Sequence, residues 1–354
     1  MNIINSWLRR LFVFMACLLL SGFLVACGEK QDMRISGPIM GTEYNITLLC
    51  GSDLSQDAWQ TELMAVMQQV NQAMSTYIPD SELSQFNQLK NTEFQTVSSS
   101  IIDVFSAAQR VSYETEGAFD ITVLPLVELW GFGSQKSDSL SAPSVPSKAS
   151  LLKIGKQIGF EKIELDDSFT QWRKTDPDVM VDFSAIAKGY AVDQVSNKLM
   201  ELGCVNHLVE IGGELRAEGL NSKGKPWRLA VEKPSSKGGF QVVIDVSGVS
   251  VASSGDYRNF YMVDGKRYSH TVDPRTLKPV EHNLAAVTVI DPIAARADAL
   301  ATAFMVMGPS GLDFAEENNI PAFFIFRAPS LSTENDAQHQ VLYSQAFEQF
   351  IVNQ

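Results

Sequence analysis

Residues 42–74 change their apolar period within one stretch, and no single kind of secondary structure satisfies both halves. Tyr44, Ile46 and Leu48 alternate with Glu43, Asn45 and Thr47, the period of a strand with one buried face. From Asp57 to Met74 the apolar residues recur instead as Leu63, Val66, Met67, Val70, Ala73 and Met74, the stripe of an amphipathic helix. A chain that does both this early must lay helices against a sheet. Further helices are predicted from Ser99 to Thr115, from the Lys188 region to Leu202 with Gly203 as the stop, and around Asp298 up to Gly308. Strands are predicted at residues 179–183, 207–211, 227–231, 242–246, 250–253, 286–290 and 322–326. The elements mix without steady alternation, so the expected fold class is α+β or mixed α/β, one large domain with a strand-rich second half. Residues 134–150, rich in Ser, Pro and Lys, read as a surface loop, and residues 37–42 as a loop into the first strand. Gly212-Gly213 reads as a bulge or a close backbone approach, since a dinucleotide fingerprint needs a third glycine and a following helix.

The first 26 residues hold no Asp or Glu, place Arg9 and Arg10 before an apolar run, and end Leu24-Val25-Ala26-Cys27. The apolar core is too short for a secure membrane span and reads as a secretory signal. Its end resembles the bacterial lipoprotein box, which makes Cys27 the candidate lipidation residue, residues 27–37 a tether and residues 38–350 the folded domain. A signal peptide cut nearby, or an uncleaved anchor, is the plainer alternative. Once Arg9 and Arg10 leave, 26 basic residues face 41 acidic ones, a net charge near −15 that argues against a nucleic-acid partner. Cys17 leaves with the signal; Cys50 and Cys204 could pair in an oxidising compartment, but with no framework spacing they read as packing residues and the pairing stays open.

Chemistry concentrates in two segments. Tyr268-Ser269-His270-Thr271-Val272-Asp273-Pro274-Arg275-Thr276 sets one of the four histidines among hydroxyls ahead of an Asp-Pro turn. A neutral imidazole near pH 7 can take the proton of an attacking hydroxyl, so His270 is the candidate general base. The competing reading is a structural histidine bonded to the turn. In Ala297-Asp298-Ala299-Leu300-Ala301-Thr302, Asp298 and Thr302 fall four apart on one helical face. Two oxygen ligands there suit Mg²⁺, while a solvated face or a hydroxyl bonded to its own helix is the alternative. The order apolar strand, polar turn, helix over residues 179–189 makes an anion seat beside Lys188. Together these point to chemistry on a phosphate ester or anhydride.

Eight segments in order carry a resemblance to a known family: Met40-Gly41-Thr42; Met74-Ser75-Thr76-Tyr77 with Ser81-Glu82-Leu83; Gly117-Ala118-Phe119-Asp120; Asp182-Phe183-Ser184-Ala185-Ile186-Ala187-Lys188-Gly189; Ile211-Gly212-Gly213-Glu214; Ser254-Gly255-Asp256-Tyr257; and the His270 and Asp298 segments. The chain resembles the ApbE family of flavin transferases, which attach FMN covalently to proteins. Leu277 departs from the pattern, where glycine is expected after Pro-Arg-Thr.

The resemblance implies a T-fold-like mixed α/β architecture, FAD as substrate and Mg²⁺ as cofactor. Such enzymes move the FMN half of FAD onto a Thr or Ser hydroxyl and release AMP. The implied roles are His270 as base; Asp298, Thr302 and the Ala185 carbonyl as metal ligands; and Met40, Tyr77, Ala118, Phe119, Asp120, Asp182, Lys188 and Val272 around FAD. For Asp182 and Lys188, a helix cap with an ordinary exposed lysine is the plainer reading. Implied partners are flavin-carrying subunits of the Na⁺-translocating NADH:quinone reductase or Rnf-type complexes. The implied location is the periplasmic side of the inner membrane through a lipid anchor, although Gly28 is not the Asp that the familiar sorting rule uses for retention there. Two alternatives keep the cleft: an FAD pyrophosphatase giving FMN and AMP, and a non-catalytic FAD-binding lipoprotein.

Overall fold

The computed structural model describes residues 32–51, 54–133, 145–235, 238–257, 259–328 and 339–352. Cys27, the signal sequence and most of the expected surface loop, residues 134–144, lie outside the described residues. Among those described, no helix is long and apolar enough to cross a membrane.

The chain opens with a hairpin of β1 (Met33–Ile39) and β2 (Thr42–Leu48), then α1 (Gln56–Met74), α2 (Glu82–Gln88), β3 (Gln95–Thr96) and α3 (Ser99–Glu114). Two short helices, α4 (Leu124–Leu129) and α5 (Lys148–Gly155), precede β4 (Ile163–Leu165) and β5 (Gln171–Lys174). Helix α6 (Ala187–Glu201) leads into β6 (His207–Ile211), β7 (Glu214–Glu218), β8 (Trp227–Glu232), β9 (Phe240–Val246) and β10 (Val249–Gly255). Two ribbons follow, β11 (Phe260–Val263) with β12 (Lys266–Ser269) and β13 (Val272–Asp273) with β14 (Lys278–Pro279). The last elements are β15 (Leu284–Asp291), α7 (Ala294–Met307), α8 (Ser310–Glu317), β16 (Ala322–Arg327) and β17 (His339–Tyr343).

Eight strands form one sheet in the order β1-β2-β6-β7-β10-β15-β16-β17, and every neighbouring pair is antiparallel. Helices α1, α3, α6 and α7 cover one face in the main core. The β8–β9 ribbon and the turn at Gln345–Phe350 contribute to a smaller core that includes Leu215, Val251 and Ile290 of the sheet. This is an α+β arrangement. Covered on both faces, β15 is buried at all eight positions, which explains its unbroken apolar run. In β2, Tyr44, Ile46 and Leu48 are buried while Glu43 and Asn45 are exposed, as the alternation requires.

Several expectations are corrected. Residues 33–37, expected as tether, and the start of the expected loop pair with β2 as an edge strand. Met40 and Gly41, at φ 50° and 73°, make the hairpin turn. Cys50 and Cys204, read as packing residues, are joined in a disulfide with Cα atoms 4.9 Å apart, inside the usual range. Residues 148–150, assigned to the loop, begin α5, with the Ser147 hydroxyl accepting from Ser150 N. Residues 179–183 are buried at Val179, Val181 and Phe183 but join no strand.

Glycines at two places bring helices and sheet close enough to build a site. Gly212 and Gly213, at φ 62° and 103°, turn β6 into β7, and a Cβ on Gly212 would lie 2.9 Å from Thr42 and 3.0 Å from Lys188. The expected close approach is therefore present. On α6, a Cβ on Gly189 would lie 2.4 Å from the Ala294 carbonyl of α7, so only glycine permits this crossing. Leu277 takes φ 61°, the left-handed conformation that glycine favours, so the turn keeps its shape with a leucine in it.

Candidate active site

A cleft of about 320 Å³ opens where the loop after α1, residues 118–124, the start of α6, the ends of β7 and β10, the His270 segment and α7 meet. Tyr77, Ala118, Phe119, Asp120, Asp182, Ala185, Lys188, His270, Val272, Asp298 and Thr302 all line it, although more than two hundred residues separate the first from the last. Met40 does not line it; committed to the tight β1–β2 turn, it packs against the main core.

The cleft holds a charged cluster. Lys188 Nζ lies 3.4 Å from Glu214 Oε1 and 3.7 Å from Asp298 Oδ2. Both carboxylates are almost wholly buried, and Gly189 N donates to Asp298 Oδ2 at 3.1 Å across the α6–α7 crossing. Burial, and for Glu214 the Asp298 charge as well, pushes both carboxyl pKa values above the usual range in spite of Lys188. Burial opposes the charge on Lys188, but Asp298 and Glu214 outweigh it and hold the ammonium protonated. Two acids share one base here, and Glu214 Oε2 has no hydrogen-bond partner. Glu214 stands in the Ile211-Gly212-Gly213-Glu214 motif, but burial of a charge just after a glycine turn leaves no local signal of a role.

The oxygen chemistry of this corner fits a hard cation. Asp298, the Thr302 hydroxyl one turn on, the unpartnered Glu214 Oε2 and the Ala185 main chain are all oxygen donors. Among the described residues no group of three or more His, Cys, Asp or Glu could ligate a metal by itself. A cation bound here would therefore need hydroxyl, main-chain, water or phosphate oxygens, which is the habit of Mg²⁺.

His270 Nδ1 lies 3.0 Å from the Asn259 carbonyl. A carbonyl only accepts, so Nδ1 carries the proton and Nε2 is left with its lone pair. Burial pulls the His270 pKa below its ordinary value, which keeps the ring neutral. Its segment is anchored from beneath: buried Asp256 receives Arg267 of β12 at 2.5 Å and is also gripped by Arg327. Asp256 thus serves the scaffold of the Ser254-Gly255-Asp256-Tyr257 motif.

Asp120 and Asp182 use their carboxylates locally. Asp120 Oδ1 accepts from Thr122 N and Oγ1 at 2.7 and 2.6 Å, and Oδ2 from Phe160 N at 3.1 Å. Burial raises the Asp120 pKa to about 6 against those bonds. Residues 118–120 accordingly offer a ligand backbone and the Phe119 ring more than a free charge. Asp182 accepts from Ser184 N and Oγ, both at 2.9 Å, which rigidifies the turn into α6. Tyr77, 76% exposed, stands at the rim.

Fold and cleft together define an α+β protein whose buried carboxylates, ammonium and neutral imidazole surround a ligand cleft of the kind that seats a phosphorylated molecule. The chain belongs to the ApbE family, whose model matches residues 40–324. An FAD:protein FMN transferase of Haemophilus influenzae is 41% identical over 315 residues, 86% of this chain and 89% of that protein. The Escherichia coli K12 protein of the same name is 36% identical over 311 residues, 84% of this chain and 87% of its own. The solved flavin transferase ApbE from Vibrio cholerae superposes with a TM-score of 0.80 at 39% identity, covering 90% of this chain and 99% of that one.

Proposed function

We propose that this chain is an FAD:protein FMN transferase, the activity that its relatives' names carry. The observation that supports this most is the meeting of His270, Lys188, Asp298 and Thr302 around one cleft. In this reading a threonine or serine hydroxyl of the acceptor protein attacks the FMN phosphorus. The new P–O ester forms, the phosphoanhydride P–O bond breaks, AMP leaves with the bonding pair, and the hydroxyl proton passes to His270 Nε2. Lys188 pairs with diphosphate oxygen. Tyr77 and Phe119 flank the flavin, with Ala118, Asp120, Asp182 and Val272 completing the wall around FAD. Asp298, Thr302 and the Ala185 carbonyl would hold Mg²⁺, which when bound neutralises charge building on the phosphate oxygens.

The acceptors proposed are flavin-carrying subunits of Na⁺-translocating NADH:quinone reductase or Rnf-type complexes. An enzyme lipidated at Cys27 and held on the periplasmic face of the inner membrane would meet them there.

Product analysis tests the reading. FAD and Mg²⁺ with a threonine-bearing acceptor fragment should yield AMP in equal amount to flavinylated fragment. AMP with free FMN and no labelled fragment would make the protein a pyrophosphatase, and intact bound FAD would make it a carrier.

A further inference from the structure

Residues 179–183, buried at Val179, Val181 and Phe183, belong to no sheet, yet with the turn that follows they bring Asp182, Ser184 and Ala185 to the cleft. Buried backbone groups need partners, and a segment without a ladder must find them elsewhere. Here the central pair is met by one side chain from 94 residues away. Asn87 Nδ2 donates to the Val181 carbonyl at 2.8 Å, and Val181 N donates to Asn87 Oδ1 at 2.7 Å. An amide side chain thus stands where a neighbouring strand's peptide would be. Buried Lys174 adds a second tie, reaching the Val179 carbonyl at 3.2 Å and the Asn87 carbonyl at 3.4 Å.

The tie at Val181 lies between two further walls of the cleft. Asn87 sits on α2, whose N-cap Ser81 donates to the Ser75 carbonyl in the loop that bears Tyr77. On the other side of Val181, Asp182 N donates to the Ile121 carbonyl at 2.7 Å, within the segment that supplies Ala118, Phe119 and Asp120. We infer that Asn87 is a positioning residue for the ligand cleft, setting the register of residues 182–188 against the Tyr77 loop and the 118–121 turn. It touches no ligand itself and is not among the residues lining the cleft.

Two readouts on the purified protein, one of them independent of the proposed function, test this. The first is hydrogen–deuterium exchange of the peptide spanning residues 179–189 in Asn87→Ala, with Ser196→Ala as a comparison. Ser196 bonds His207 at 2.7 Å in the buried core and does not line the cleft, so its loss lowers stability without touching the wall. Asn87→Ala should speed exchange across 179–189 by about tenfold or more relative to Ser196→Ala at matched melting temperature. Equal protection in the two variants would overturn the inference. The second readout, which rests on the cleft being the FAD site, is FAD affinity at a temperature where all variants are fully folded. Asn87→Ala should weaken it about tenfold while Ser196→Ala stays at the wild-type value. A lowered melting temperature with unchanged affinity would reduce Asn87 to a purely structural residue. If Asn87→Ala does not fold, Asn87→Asp, which keeps the shape and one of the two bonds, should move both readouts the same way. Wild-type protein that fails to bind FAD would sink the proposed function, while the exchange result would still decide the role of Asn87.

Discussion

Lys188 Nζ stands 3.4 Å from Glu214 Oε1, joining the first turn of α6 to the first residue of β7 at the floor of the cleft. The pair exists because Gly212 lets the lysine stem pass and Gly189 lets α6 approach α7. Replacing Lys188 by Met should therefore leave buried Asp298 without its counter-charge, beside a Glu214 whose pKa burial pushes up to about 8. We expect a loss of roughly 3 kcal/mol by chemical denaturation at pH 7.5. The loss should shrink as the pH falls and Asp298, already raised in pKa by burial, takes up a proton. A variant as stable as wild type would contradict the charge assignment.

A cation held by Asp298 and Thr302 binds the folded chain and not the unfolded one, so Mg²⁺ should stabilise the fold even without FAD. At a hundredfold excess over its Kd the gain is about 2.7 kcal/mol, read as a rise in thermal midpoint that EDTA reverses. Asp298→Ala should abolish the Mg²⁺ response. An equal rise in that variant would place the cation elsewhere.

For His270 the sign follows from its lowered pKa. The base form is the active one and persists down to a folded pKa below the ordinary 6.5. Activity should stay level from pH 8 to 6.5 and fall only on further acidification. His270→Gln should lower kcat by about a hundredfold or more and remove the acid limb. A limb that survives in the variant belongs to another group.

Reduction of the Cys50–Cys204 disulfide should cost stability but not chemistry. It closes a separation of 154 residues, for which the chain-entropy account gives roughly 5 kcal/mol. Cys50→Ser/Cys204→Ser protein should melt earlier and bind FAD as before, since neither cysteine lines the cleft. A changed FAD affinity would tie the disulfide to the site.

What was legible in the sequence was what local periodicity and motif order encode. The alternation in β2 and the stripe of α1 appear where they were read, with Leu63, Met67 and Val70 buried. Most of the motif residues in the cleft lie at element ends or turns, where short sequence signatures are most informative, while Asp298 and Thr302 stand one turn apart on α7. What failed depended on distant partners. Residues 179–183 look like a strand because an apolar extended run is the same whether its backbone bonds another strand or Asn87. Cys50 and Cys204 carry no spacing that announces a bridge, and Glu214 shows its burial only once β7 lies beneath α6 and α7. Met40, expected beside FAD, sits in the tight β1–β2 turn at φ 50° and does not line the cleft.

The most direct measurement is denaturation-resistant flavin fluorescence on an acceptor fragment incubated with FAD, Mg²⁺ and the protein, run beside the fragment with its threonine changed to valine. Fluorescence is expected on the threonine fragment alone, lost with EDTA and with Asp298→Ala. Fluorescence that is absent from the threonine fragment, or that persists on the valine one, would contradict the transferase reading.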